Sequence, residues 1–246
     1  MKSRRRRPLA FLGGLLAAGV FAFGTGSLRG VLPAPSSRVA RGETASPAIA
    51  FLGDSLSVGW NLPPGSQTYP ETVGAELSAR VYNFGIPGIT MFDAMLRELR
   101  QVPPETTVAV IYLGTNDLIQ DVVEHRAPVG SRQVMRLSFL TVVAALKQNG
   151  ITPYVVLLRD LGNMPRFATS RKLAQEATSW THSWDEWAAK HGAIAIDLRC
   201  FPDVDDVRNY QSDQLHPTAH GTRLLAEHVA FGIKHNGVAC GTSAAH

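Results

Sequence analysis

Five short apolar runs punctuate the chain: Ala48–Leu52, Val81–Phe84, Val108–Leu113, Tyr154–Leu158 and Ala193–Ile196. Each is continuous rather than alternating, which is the pattern of strands covered on both faces in a parallel sheet. Longer stretches with apolar positions at helical spacing lie between and after them. These predict helices over Thr68–Ala79, Met91–Arg100, Ser131–Gln148, Arg171–Lys190 and His220–Ile233. In the third, Ser131 can cap the start, Gly150 follows the end, and Val134, Leu137, Leu140 and Ala144 are expected to form the buried face. The alternation predicts an α/β fold: one three-layer α/β/α sandwich around a five-stranded parallel sheet, over residues 48–235.

Composition supports a globular domain, with 45% apolar and 18% charged positions among 246 residues. No repeat of 20–50 residues is visible, which argues against a solenoid or propeller. The formal net charge of +4 would invite a nucleic-acid reading, but it is unevenly distributed. Lys2 and Arg4–Arg7 form one cluster; the remaining 19 Lys and Arg face 20 Asp and Glu. No nucleic-acid partner is therefore expected. The basic cluster precedes an apolar run, Leu9–Phe23, and small residues around Ala22-Phe23-Gly24. This is the layout of a secretory signal peptide over 1–24, with a retained N-terminal anchor as the alternative. The run is about 15 residues, short of the ~20 that span a bilayer comfortably. Ser3-Arg4-Arg5 could also be read as a twin-arginine signal. The expected location is periplasmic or extracellular, with membrane association only if the segment is retained. Residues 25–47, rich in Gly, Pro, Ser, Ala and Arg, read as a flexible linker, and 236–246 as a tail. The two cysteines, Cys200 and Cys240, could pair in an exported protein, although sequence cannot show their approach.

In open parallel sheets, working groups gather beyond the carboxyl ends of the strands. The first run ends in Gly53-Asp54-Ser55, the second in Asn83-Phe84-Gly85, and the third in Gly114-Thr115-Asn116-Asp117. A long loop after the fifth holds Asp213 and His216. A serine hydroxyl needs a base to become a nucleophile, and imidazole, which titrates near neutrality, is the natural one. A carboxylate three residues before the histidine can reach its Nδ1–H through a turn, fixing the tautomer. Backbone N–H groups at Ser55 and Gly85 and the Asn116 amide could receive an oxyanion. Taken singly, each piece has a plainer reading: a turn or cap serine, turn glycines, an Asx turn, a solvated loop carboxylate, a histidine leading into a helix. Their order at the ends of the right elements gives the functional reading its weight.

These blocks resemble those of the SGNH hydrolases, and of the GDSL-type serine esterases and lipases within them. Gly53-Asp54-Ser55-Leu56-Ser57 matches the first block, Gly85 the second, Gly114-Thr115-Asn116-Asp117 the third, and Asp213-Gln214-Leu215-His216-Pro217 the last. The resemblance implies a flavodoxin-like sandwich and ester hydrolysis through an acyl-enzyme. Ser55 would be the nucleophile, His216 the base and Asp213 its orienting acid, with Ser55, Gly85 and Asn116 as the oxyanion hole. No metal or cofactor is expected. The substrates would be short-chain acyl, lysophospholipid-like or acetylated-carbohydrate esters. An O-acyltransferase with a sugar hydroxyl as acceptor, and a non-catalytic binding module on the same fold, are the rival readings. No G-x-S-x-G elbow surrounds Ser55, which argues against the α/β-hydrolase fold.

Other features have plainer explanations. Trp180, Trp184 and Trp187 share one helical face and suggest packing. His216 and His220 lack an H-E-x-x-H context, and Asp203, Asp205 and Asp206 lack EF-hand spacing. Asp54 and Asp117 are expected to shape loops at the site rather than take part in chemistry. The stretches Leu118–Gly130 and Arg159–Ser170 are expected to frame the substrate pocket, through Ile119, Val122, Val123, His125, Arg126, Leu161, Met164 and Phe167.

Overall fold

The computed structural model describes residues 46–124, 131–165 and 167–240. The predicted leader, nearly all of the linker, the end of the tail, His125 and Arg126 lie outside them. Five parallel strands form one sheet in the order β2-β1-β3-β4-β5. They are β1 (Ala48–Gly53), β2 (Arg80–Asn83), β3 (Val108–Tyr112), β4 (Thr152–Leu157) and β5 (Ile194–Asp197). The helices are α1 (Tyr69–Glu76), α2 (Met91–Arg97), α3 (Thr115–Leu118), α4 (Ser131–Gln148), α5 (Arg171–Ala188) and α6 (Ala219–Lys234). α1 packs on α6, and α2 on α4. Right-handed crossovers from this strand order put α1 and α6 on one face and α2, α4 and α5 on the other.

Local chemistry sets the helix starts. Thr68 with Glu71 and Thr90 with Asp93 form capping boxes for α1 and α2, and Ser170 and Thr218 cap α5 and α6. β1 is buried along its whole length, as its continuous apolar run requires. α3 and a π-helical turn, Ile119–Val123, occupy sequence expected to be loop.

α4 departs from expectation in its buried face. Val134, Leu137 and Leu140 are exposed, whereas Met135, Phe139, Val142 and Leu146 enter the core. Both sets are spaced for one helical face. The polar residues that should mark the outside are ambiguous, because the Ser138 hydroxyl bonds the Val134 carbonyl within the helix and is buried. The capping role expected of Ser131 falls on a side chain outside those described. Trp180 and Trp184 are core residues and Trp187 packs partly buried against the core, in keeping with the packing interpretation.

Cys200 and Cys240 form a disulfide. It holds the C-terminal segment beside β5, where Val238 exchanges backbone hydrogen bonds with Ala195 and Asp197 and covers the sheet edge.

Candidate active site

The carboxyl ends of β1, β2 and β3 bring the first three motifs to one rim. β1 stops at Gly53, and Asp54 shapes the turn that follows. Its Oδ1 accepts the Leu56 N–H at 3.0 Å and its carbonyl accepts the Ser57 N–H at 3.1 Å. Ser55 thereby leaves the sheet at the start of a tight turn, and its own N–H has no acceptor among the described residues.

The fourth motif arrives from a hairpin-like strap. Tyr210 bridges to Pro217, the Gln211 N–H donates to the His216 carbonyl at 2.7 Å, and the Gln214 N–H closes the tip on the Gln211 carbonyl. At this tip Asp213 Oδ1 accepts the N–H groups of Leu215 and His216, at 2.9 and 3.0 Å. Its other oxygen lies 2.6 Å from His216 Nδ1, and His216 Nε2 lies 2.9 Å from Ser55 Oγ. Serine, imidazole and carboxylate thus form one continuous chain. Partial burial raises the Asp213 pKa, but the hydrogen bonds from the His216 ring and the two backbone N–H groups outweigh it and hold the acid below its ordinary value. The carboxylate therefore stays ionised beside the ring.

Gly85 and Asn116 flank Ser55. A Cβ on Gly85 would lie 2.7 Å from the Ser57 Cβ and 3.1 Å from the Asp54 carbonyl, so glycine is required for this loop to pack on the Ser55 turn. The Gly85 N–H donates to Asn83 Oδ1 at 3.1 Å, while Asn83 Nδ2 donates to the Ser57 carbonyl at 2.7 Å. Asn116 Nδ2 donates one hydrogen to Asp54 Oδ2 at 2.9 Å, leaving the other available. Asp54 is buried, and desolvation raises its pKa to about 6 against the opposing Leu56 hydrogen bond. Asp117, also buried, accepts the first N–H of α2 at Met91, and burial raises it to about 7. Both acids hold loops, as expected. All five sequence-predicted site residues, Ser55, Gly85, Asn116, Asp213 and His216, therefore meet at this rim.

Other contributors were not evident in the sequence. Glu98 is fully buried beneath the Ser55 turn, where Oε2 accepts the Gly53 N–H at 3.0 Å. Burial raises its pKa to about 9, with the Asp54 charge adding to the rise. Trp60, 46% exposed, places its ring 6.3 Å from that of His216. Asn83 stands at the end of β2, the one signal that could have marked it.

The loops expected to line a substrate pocket are built otherwise. Ile119, Val122, Leu161, Met164 and Phe167 are buried in the hydrophobic core. Their apolar character reflects packing of the β3 and β4 connections. Leu161 also lines a cavity of about 30 Å³, room for roughly one water, behind the strap and between Leu56, Tyr112 and Leu215. The Asp203 carboxylate pairs with His228 and Asp206 with Arg208, so these acids serve local structure. Asp197, Cys200 and Cys240 lie close together, but the two sulfurs are bonded to each other.

A parallel five-stranded sandwich with three of these motifs at its strand ends and the fourth on the strap before α6 has the architecture of the SGNH hydrolases. The sequence profile of the GDSL-like lipase/acylhydrolase family matches residues 51–224, and the chain belongs to that family. It is an ester hydrolase of the GDSL type. Solved structures share the fold at low identity. A G-D-S-L family lipolytic protein of Desulfitobacterium hafniense DCB-2 is 20% identical with a TM-score of 0.56, covering 75% of this chain and 98% of its own. The psychrotrophic esterase EstA of Pseudoalteromonas sp., in a form inhibited by monoethylphosphonate, is 20% identical at 0.56, covering 76% and 97%. A lipase from a goat rumen metagenome is 16% identical at 0.60, covering 78% and 99%. No curated protein sequence matches the chain.

Proposed function

We propose that the protein is an exported serine esterase in which Ser55 attacks the acyl carbon of a carboxylic ester. The observation that carries this reading is the unbroken path from Ser55 Oγ through His216 to Asp213, at 2.9 and 2.6 Å. His216 Nε2 takes the serine proton as the Oγ–C bond forms, and Asp213 stabilises the imidazolium. The tetrahedral oxyanion is received by the free Ser55 N–H, the second Asn116 amide hydrogen, and the Gly85 N–H shared with Asn83. His216 then protonates the leaving alcohol, the acyl-enzyme forms, and water activated by the same imidazole releases the acid. The candidate substrates are short-chain acyl, lysophospholipid-like and acetylated-carbohydrate esters. The exposed Trp60 ring, 6.3 Å from that of His216, supports alcohols that offer a flat face. The Cys200–Cys240 disulfide and the leader-like N-terminus support export into an oxidising compartment.

Turnover of p-nitrophenyl esters of increasing chain length, beside acetylated xylan and lysophosphatidylcholine, tests the assignment. Ser55→Ala is expected to lower kcat by at least ~10³-fold on whichever ester is turned over. A serine-reactive phosphonate is expected to label the wild type and not the variant. Near-wild-type turnover by the variant would remove Ser55 from this role.

A further inference from the structure

Arg159 is the second residue after β4, and nothing above gives it a part in the chemistry. It is 8% exposed, and among the described residues its guanidinium bonds backbone carbonyls and a ring face, with no carboxylate partner. Its guanidinium instead donates to two backbone carbonyls of the connection between β5 and α6: Gln214, through Nη2, and Val204, at 3.5 Å through Nη1. The same group stacks over the Tyr210 ring, 3.7 Å from its centre, and the Tyr210 hydroxyl donates to the Val204 carbonyl at 2.6 Å. A buried cation satisfied by carbonyls and a ring face, rather than by an acid, is an unusual expenditure of burial.

What Arg159 holds explains it. Gln214 lies between Asp213 and His216, at the tip of the strap, and its φ of 52° is in the left-handed region that residues with a Cβ rarely adopt. Leu215 and His216 direct their N–H groups to Asp213 only because the chain reverses at this residue. Across the strap, the Gln211 side chain donates to the carbonyls of Trp60 and Pro217, fastening the other side to the Ser55 turn. The Asp213–His216 pair is therefore suspended between two anchors, one of which is Arg159.

We infer that Arg159 is a positioning residue for the acid–base pair: its guanidinium grips the Gln214 carbonyl and keeps the strained tip in the shape that aims His216 at Ser55. The inference rests on the triad reading above, and phosphonate labelling of Ser55 in the wild type tests that reading separately.

The test is steady-state kinetics on p-nitrophenyl acetate, well below each variant's melting temperature. Arg159→Met removes both carbonyl bonds at similar volume. It is expected to lower kcat by ~10²-fold, the scale of a misplaced reacting group, with KM changed less than about twofold. Adding Gln214→Gly lets residue 214 hold a positive φ without restraint, and is expected to restore about tenfold of that loss. Arg159→Lys, which keeps a buried charge but cannot hold both carbonyls, is expected to lose about tenfold; it serves as the test if the methionine variant does not fold. A variant with wild-type kcat and only a lowered melting temperature would overturn the inference. So would a loss of kcat that Gln214→Gly leaves unchanged, since Arg159 would then act elsewhere.

Discussion

Asp54 does two jobs with one carboxylate. Oδ1 closes the turn that presents Ser55, and Oδ2 takes one hydrogen of the Asn116 amide. In the proposed mechanism the second bond would fix the amide so that its other hydrogen is aimed without reorganisation when charge develops. The Gly85 N–H, by contrast, is already shared with Asn83, so the three donors are not equivalent. Asn116→Ala is expected to reduce kcat by ~10²–10³-fold. Asp54→Ala removes both bonds, loosening the Ser55 turn and leaving the Asn116 amide unaimed, and is expected to cost about tenfold or more in kcat with little change in KM. Steady-state kinetics on one small ester separates the two, and an Asp54→Ala kcat equal to the wild type would show that Asn116 needs no orienting partner. At this scale the candidate site was readable, because Ser55, Gly85, Asn116, Asp213 and His216 each carry their chemistry in their residue type; the first three follow predicted strand ends, and the last two share one turn-sized spacing in the loop after the fifth run. Arg159, Glu98 and Asn83 act through what they hold, and no pattern in a single chain records a backbone carbonyl or N–H brought near by folding.

Among the elements, β1, β3 and β4 were legible because burial on both faces leaves a continuous apolar run, while the edge strands β2 and β5, less buried, were legible from shorter runs bounded by polar residues. Helix α4 shows where that logic fails. Its apolar residues encircle the helix, so Val134-Leu137-Leu140 and Met135-Phe139-Val142-Leu146 satisfy helical periodicity equally well. Only contact with the sheet decides between them, and it selects the second set. The two faces should differ sharply in stability. Phe139→Ala opens a cavity at a fully buried position edge-on to Trp184 and is expected to cost about 3–5 kcal/mol. Leu137→Ser, at a position 57% exposed, is expected to change stability by less than about 0.5 kcal/mol. Urea unfolding of both variants checks the assignment, and a reversed order of costs would put the helix in the other register. An apolar side chain in a connection likewise reads alike whether it lines a pocket or plugs the core, and Ile119, Val122, Met164 and Phe167 plug it.

For the whole molecule, the carboxyls that tie elements together near the site have a consequence for pH. Glu98 joins the end of α2 to Gly53, Asp117 joins α3 to the start of α2, and Asp185 joins α5 to the Leu158 N–H after β4. Burial raises all three, Glu98 to about 9 and the two aspartates to about 7. A carboxyl whose pKa is higher in the folded state contributes stability that is fully present below its unfolded value, near 4, and lost as pH rises through the folded value. Stability is therefore expected to decline from mildly acidic solution through pH 7, with a further loss toward pH 9 belonging to Glu98. In the proposed mechanism ester turnover is expected to run the other way toward acid, because a base that is to accept the serine proton must be unprotonated. The pH of greatest stability should then lie below the pH of greatest activity. Glu98→Gln separates Glu98 from the aspartates: the amide oxygen can still accept the Gly53 N–H, and it does not ionise. Between pH 7 and 9 the variant's melting temperature should fall less than that of the wild type, by about 2–4 °C for each kcal/mol of ionisation penalty removed. Melting curves that stay parallel over that interval would show that Glu98 does not ionise there, and would place the alkaline limit of stability elsewhere in the molecule.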